Sequence, residues 1–150
     1  MSHPIPTQHI LVVDDEPIVQ EALELILIHH SHTVELASDG PEALQKLAKE
    51  KFDVVFTDFN MPEMLGDELA KRIRGQYPHQ VIAMISAYSN LITPHHKKEI
   101  PVDFFISKPF QLQNILKALE SAYEINEVNR RRAEPVLQPR AQLLNPRQEK

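Results

Sequence analysis

Residues 9–17 read HILVVDDEP, an apolar run that stops at two adjacent carboxylates, Asp14 and Asp15. A short apolar run that ends in acids predicts a buried β-strand. Three later apolar segments also stop at or close to a polar side chain, namely Asp58, Ser86 and Lys108. Because the carboxyl ends of parallel strands meet at one edge of a sheet, where ligands bind, we expect these side chains to share one pocket.

Helical segments separate the predicted strands. Apolar residues recur with the three- and four-residue spacing of amphipathic helices over residues 17–30, 41–50, 63–74 and 111–125. The predicted strands are 9–13, 33–37, 53–57, 80–85 and 103–106. Their alternation with helices implies right-handed crossovers and a parallel sheet with helices on both faces. The more polar second strand fits a sheet edge, and Thr93-Pro94 predicts a fourth helix that begins late and is short.

In two of the predicted helices, particular residues define the helical repeat. In the first helix the repeating positions are Ile18, Ala22, Leu25, Ile26 and His29. In the third helix we expect Leu65, Leu69 and Ile73 to face the core. These positions follow the period of an α-helix, so they support the helical assignment of both segments.

The composition is that of one ordinary globular domain. The chain has 150 residues, of which 42% are hydrophobic and 25% are charged, enough for a core. It has no cysteine, which excludes a disulfide framework and a cysteine-ligated zinc site. The sequence shows no signal peptide and no apolar run long enough to span a membrane, so a cytoplasmic protein is expected.

Charge is distributed unevenly along the chain. Residues 130–150 carry six basic and two acidic side chains, whereas the rest of the chain carries ten basic and nineteen acidic ones. We predict a domain at 8–125 and, at 126–150, an extension of the last helix to about Arg132 followed by a basic, disordered tail. The arginines at 130–132 could contact nucleic acid phosphates. No recognition helix, zinc motif or interleaved aromatic residue accompanies them, so a solvated tail or linker is favoured.

Three carboxylates at the ends of predicted central strands indicate a cation site. A single acid after a strand is explained by a helix cap or a solvated loop. Asp14, Asp15 and Asp58 brought close together would repel one another unless a cation offset their charge. Mg²⁺ prefers oxygen ligands and retains several waters. The sequence therefore predicts a magnesium site.

Four motifs carry a family resemblance, and they are ILVVDDEP at 10–17, DVVFTDFNMPEMLG at 53–66, MISA at 84–87 and FISKPF at 105–110. In this order and spacing they resemble the receiver domain of bacterial two-component response regulators, over about residues 8–123. The resemblance implies a flavodoxin-like (βα)5 receiver fold. This is an α/β fold with a doubly wound, five-stranded parallel sheet in the strand order 2-1-3-4-5.

The resemblance implies a role for each residue at the acidic edge. Asp58 matches the phosphoacceptor. Asp15 and Asp58 match the carboxylates that bind Mg²⁺ directly, and Asp14 matches the acid that reaches the metal through water. Asn60 matches the position whose backbone carbonyl completes the protein ligands.

The resemblance also implies phosphate-binding and switch residues. Ser86 matches the hydroxyl that hydrogen-bonds the phosphoryl group, and Lys108 matches the lysine that pairs with the acceptor and then with the phosphoryl group. Phe105 matches the aromatic residue that changes rotamer on activation, so Ser86 and Phe105 form the expected switch. The bond between Lys108 and Pro109 is expected to be cis. Tyr88 stands where the family tunes dephosphorylation, and its bulk favours slow loss of the phosphoryl group.

The implied function is phosphoacceptor signalling rather than enzymatic turnover. A histidine kinase or histidine phosphotransfer protein would donate its phosphoryl group to Asp58 with Mg²⁺ bound. The face formed by the fourth helix, fifth strand and fifth helix would then switch, and it could also mediate a homodimer. At most, the chain would phosphorylate itself from small donors and dephosphorylate itself. The output partner, and whether the chain is stand-alone or a fragment, are left open.

Two alternatives also stay open. A Mg²⁺-dependent aspartyl-phosphate hydrolase typically has an acid-base aspartate two residues after its nucleophile, where this chain has Asn60, a poor proton donor. A phosphorylation-independent, receiver-like scaffold is disfavoured by the complete set of acids.

Overall fold

Five parallel strands form one sheet in the order β2-β1-β3-β4-β5. The computed structural model describes residues 5–87 and 94–133, without the side chains of 94–96. The strands are β1 (His9–Val13), β2 (Thr33–Ala37), β3 (Val54–Asp58), β4 (Val81–Ser86) and β5 (Phe104–Ser107). This arrangement confirms the doubly wound α/β fold with the strand order 2-1-3-4-5.

Helices cover both faces of the sheet. They are α1 (Pro17–His29), α2 (Gly40–Lys49), α3 (Gly66–Gln76), α4 (Pro94–Glu99) and α5 (Leu112–Ala133). One core lies between the sheet and α1 and α5, and a second lies between the sheet and α2 and α3. Within the described residues, α4 covers Pro94–Glu99 and α5 continues past residue 126 to Ala133. The predicted disordered tail falls on residues 134–150, which lie outside the described ranges. Every helix in the described ranges is too short or too polar to span a bilayer.

The central strands bring their carboxyl ends together at one edge. β3 and β4 are buried along their whole length, as their near-continuous apolar sequences predict. β2 is the more exposed edge strand, also as predicted. Asp58 and Ser86 are the last residues of β3 and β4, which were predicted to end one residue earlier. Their backbones still pair with the neighbouring strand, so the sheet itself positions both residues.

The helix α3 begins three residues later than predicted. Glu63 has a positive φ of 69°, and the Met64 N–H donates to the Pro62 carbonyl oxygen at 2.7 Å. A three-residue turn therefore occupies the start of the predicted helix. Leu65, which was expected to face the core, is 43% exposed as a result, whereas the next two positions of its stripe are buried.

The helix α1 buries only part of the stripe that predicted it, since Ile26 packs against the core while other members are exposed. Ile18 and Leu25 are 80% and 66% exposed, while Leu23 and Leu27 are buried in the core. The helix is apolar on more than one side, so its period identified a helix without selecting the buried face. The exposed residues Ile18, Leu25 and Ile28 form an apolar strip, named here the α1 strip.

A buried histidine links the stability of the fold to pH. His32 is 6% exposed, and its Nδ1 accepts a hydrogen bond from the Gln8 N–H at 3.0 Å. Burial lowers the pKa of His32, with His30 acting in the same direction and Asp53 against it. Because the unfolded chain takes up this proton more readily, the folded state loses stability as pH falls below the ordinary histidine value of about 6.5.

We expect His32→Asn to reduce this loss of stability in acid. The asparagine amide oxygen can replace Nδ1 as the acceptor for the Gln8 N–H, but it does not titrate. Urea unfolding above and below the ordinary histidine pKa should show a smaller drop in the free energy of unfolding for the variant than for the wild type. Equal drops in both proteins would contradict this role of His32.

Candidate functional site

The loops at the carboxyl edge of the sheet enclose a cavity of about 280 Å³. This carboxyl-edge cavity is lined by Asp15, Glu16, Asp58, Asn60, Ser86, Ala87 and Lys108. The structure therefore brings together five of the seven predicted site residues, and a sixth, Asp14, contacts Lys108 beside them. The peptide bond between Lys108 and Pro109 is cis, as the resemblance implied. Tyr88 lies outside the described residues.

Three aspartates form one cluster of carboxylates. Asp14, Asp15 and Asp58 each contribute an oxygen, and these oxygens lie within 4.8 Å of one another. Asp14 and Asp58 are buried, whereas Asp15 is exposed, so the cluster is open to solvent on one side. Oxygen donors with partial access to water suit a divalent cation that keeps some of its hydration shell. The residues present therefore fit Mg²⁺.

Lys108 brings a positive charge to this cluster. Its Nζ donates to Asp58 Oδ1 at 3.1 Å, to Asp14 Oδ2 at 3.2 Å and to Glu16 Oε1 at 3.5 Å. An ammonium has three donor protons, so it can engage all three carboxylates. The backbone N–H of Lys108 donates to the Ser86 carbonyl oxygen at 3.0 Å, which fixes the lysine beside the end of β4.

Burial makes the inner carboxylates costly to ionise. It raises the pKa of Asp58, and the charge of Asp14 adds to this effect, while Lys108 opposes it. Burial also raises the pKa of Asp14, and it outweighs the hydrogen bond from the Glu16 N–H and the charge of Lys108, which both lower that pKa. Burial alone would lower the pKa of Lys108, but its contacts with the two aspartates outweigh this and raise the pKa. The lysine is therefore protonated at neutral pH, and a further cation would relieve the remaining repulsion.

A glycine holds the loop after β3 against the strand end. The Gly66 N–H donates to the Phe59 carbonyl oxygen at 2.7 Å. A Cβ on Gly66 would stand 2.3 Å from the Asp58 carbonyl oxygen, so only a residue without a side chain allows this approach. Neither Gly66 nor Glu16 was predicted as a site residue. The glycine that closes NMPEMLG and the third successive acid of DDE were the available indications.

Ser86 and Phe105 lie on the same face of the sheet. The register of β4 with β5 pairs Met84 with Phe105 and Ser86 with Ser107. Because side chains alternate along each strand, Ser86 and Phe105 point to the same side. Ser86 lines the carboxyl-edge cavity and is buried, whereas Phe105 is half-buried outside it. The predicted switch residues are thus placed near each other but not in one cavity.

Comparison with known proteins identifies the family. The model of the response regulator receiver domain matches residues 10–120. The chain belongs to this family. The response regulator protein PilR of Pseudomonas aeruginosa is 32% identical to this receiver domain over 118 residues, which cover 79% of this chain and 26% of PilR. The chain therefore spans about a quarter of the length of this relative.

Solved receiver domains share the fold. The chemotaxis response regulator CheY4 of Vibrio cholerae is 33% identical, with a TM-score of 0.70 over 78% of this chain and 99% of CheY4. The response regulator TrrA of Thermotoga maritima, solved in complex with Mg²⁺-BeF, is 29% identical, with a TM-score of 0.70 over 77% of this chain and 99% of TrrA. The carboxyl-edge cavity is thus the acidic pocket of a two-component signalling module.

Proposed function

We propose that this receiver domain accepts a phosphoryl group on Asp58 from a phosphohistidine of a histidine kinase or histidine phosphotransfer protein. The observation that carries the proposal is the convergence of Asp58, Lys108 and two further aspartates beside one cavity. Mg²⁺ would be held by Asp15, Asp58 and the backbone carbonyl of Asn60, with Asp14 acting through water. The Mg²⁺-BeF complex of TrrA supports this cofactor.

Three side chains that line the cavity, Asp58, Ser86 and Lys108, each suit one part of phosphoryl transfer. A carboxylate oxygen of Asp58 forms the new bond to phosphorus as the phosphorus–nitrogen bond to the donor imidazole breaks, which gives an acyl phosphate. Lys108 then transfers its hydrogen bond from Asp58 to a phosphoryl oxygen, and the Ser86 hydroxyl donates to another. A bound Mg²⁺ would neutralise charge on the equatorial oxygens. Because Lys108 changes its hydrogen-bond partner, phosphorylation would stabilise the activated arrangement of the protein more than the unphosphorylated one.

Exposed apolar residues at the start of α1, α3 and α5, at the carboxyl edge of the sheet, support a protein as the donor. Ile18, Leu65 and Leu112 are all more than 40% exposed, and they lie in the segments that follow β1, β3 and β5. Ile18 also begins the α1 strip. Clustered apolar side chains at a surface mark protein contacts. We propose that the donor protein docks on this rim while its phosphohistidine reaches Asp58.

The output of the domain is part of the same proposal. The face formed by α4, β5 and α5 would change on phosphorylation and could form a homodimer. Residues 8–125 would form the receiver unit, and 126–150 would extend α5 into a basic tail. The arginines at 130–132 are exposed at the end of α5, and a solvated surface remains the role proposed for them. A cytoplasmic location also remains a proposal.

Acetyl phosphate tests the assignment of Asp58. With Mg²⁺, mass spectrometry of the intact chain should show a gain of one phosphoryl group, and a chelator should reduce the gain. Asp58→Asn should abolish it, because the nucleophile is lost. Asp67→Asn is the matched control, since it removes an aspartate outside the cavity, and it should behave as wild type.

Three other outcomes would refute the proposal. A folded wild-type chain that gains no phosphoryl group would favour a scaffold. An Asp58→Asn chain that gains as much as wild type would show that the acceptor lies elsewhere. Repeated turnover of small phosphate esters would indicate the hydrolase. Asn60, a poor proton donor, lines the cavity and argues against this outcome.

A further inference from the structure

A lysine of α4 covers the ring of the predicted switch residue. The Lys97 Nζ lies 5.2 Å from the centroid of the Phe105 ring. A cation within about 6 Å of a ring face is attracted by the ring quadrupole. Within residues 5–87 and 94–133, no ion pair joins Lys97 to a carboxylate. The aromatic ring is therefore the electrostatic partner that the structure gives this ammonium.

The ring under Lys97 lies on the same face of the sheet as Ser86. Phe105 pairs with Met84, which is two residues before Ser86 in β4, and all three side chains point to one face. Lys97 and Phe105 are both half-buried, so water screens their contact only in part. The contact thus connects α4 to the face of the sheet that carries the phosphate-binding serine.

We propose that the contact between Lys97 and Phe105 is a latch that stabilises the unphosphorylated arrangement. The inference rests on the proposed function and on the rotamer change that the family resemblance implies for Phe105 once Asp58 carries a phosphoryl group. A rotamer change of Phe105 would take the ring away from the Lys97 ammonium, so the contact would exist in the unphosphorylated state only. An interaction confined to one state shifts the equilibrium between the states by its own free energy. Lys97 therefore sets how readily phosphorylation activates the domain.

Substitution of Lys97 should make activation easier. Beryllofluoride, a mimic of the phosphoryl group, is titrated at saturating Mg²⁺ by isothermal titration calorimetry. Lys97→Met keeps the side-chain stem but removes the charge, and we expect it to bind beryllofluoride about two- to fivefold more tightly than wild type. Lys97→Arg should bind as wild type, because a guanidinium also stacks on aromatic rings. Lys98→Met is the matched control for loss of a neighbouring charge on α4 and should also bind as wild type.

Two further measurements examine the contact itself. In the free protein, NMR should show the ε-methylene protons of Lys97 shifted upfield relative to those of Lys98, because they lie over the ring. Phe105→Leu should remove this shift. In the Phe105→Leu background, Lys97→Met should leave beryllofluoride affinity unchanged, which completes a double-mutant cycle.

The outcomes distinguish the latch from the function on which it rests. No upfield shift at Lys97, or a Lys97→Met affinity equal to or weaker than that of Lys98→Met, would overturn the latch while the phosphoacceptor function stands. The same holds if Lys97→Met acts equally with and without the Phe105 ring. If the wild type binds no beryllofluoride with Mg²⁺, the phosphoacceptor function fails and the latch fails with it.

Discussion

Gly66→Ala is expected to lose about 3 kcal/mol of unfolding free energy, together with most of its Mg²⁺-dependent phosphorylation. The new Cβ would stand 2.3 Å from the Asp58 carbonyl oxygen and 2.8 Å from the Phe59 Cα. Both are backbone atoms, which cannot rotate away as a flexible side chain can. Relief requires a shift of the strand end that carries Asp58. Urea unfolding and the rate of mass gain from acetyl phosphate measure the two effects.

Gly75→Ala is the matched control for this substitution. It adds the same methyl group to the same helix, but nothing lies within 4 Å of the new Cβ. Alanine there should raise the free energy of unfolding by about 0.5–1 kcal/mol, because glycine is a poor helix former. Phosphorylation should not change. If Gly66→Ala proved as stable as Gly75→Ala, the close packing of Gly66 on the phosphoacceptor strand would be disproved.

The carboxyl edge could be predicted because the ends of the strands are visible in the sequence. Asp14, Asp58 and Ser86 each stand where an apolar run stops. A parallel sheet brings such positions to one edge whatever the helices do in detail. The structure confirms that these residues meet Lys108 at or beside one cavity. Their individual roles followed from the family resemblance, and they stay predictions until phosphoryl transfer is measured.

The orientation of side chains was harder to predict than their position along the chain. The period of α1 did not select its buried face, because Ile18 and Leu25 are as apolar as the residues that pack on the sheet. The start of α3 depends on a positive φ at Glu63, and glutamate at this position does not predict a positive φ. The contact of Lys97 with Phe105 joins two elements whose relative placement arises only in the folded chain.

Lys108→Met is expected to destabilise the metal-free protein by about 3 kcal/mol at neutral pH. The substitution removes the ammonium that contacts Asp58 and Asp14, whose side chains are 7% and 3% exposed and cannot recover full hydration. Phosphoryl transfer should also slow by about 100-fold, because a charged donor to the developing phosphoryl oxygens is lost. Urea unfolding without Mg²⁺ and the rate of mass gain from acetyl phosphate with Mg²⁺ measure these losses.

Added Mg²⁺ and a lower pH should each restore stability to Lys108→Met. Neither can restore lost packing, so such a rescue would show that the variant is destabilised by the lost charge. Mg²⁺ supplies positive charge to the same carboxylates, so it should stabilise the variant more than the wild type. The pKa values of Asp58 and Asp14, already raised by burial, would rise further, so the variant loses stability as pH rises through them and regains it in acid. Lys117→Met removes an exposed lysine of α5 and should show neither rescue. A Lys108→Met protein that matched the wild type at neutral pH without Mg²⁺ would show that the cluster does not depend on this ammonium.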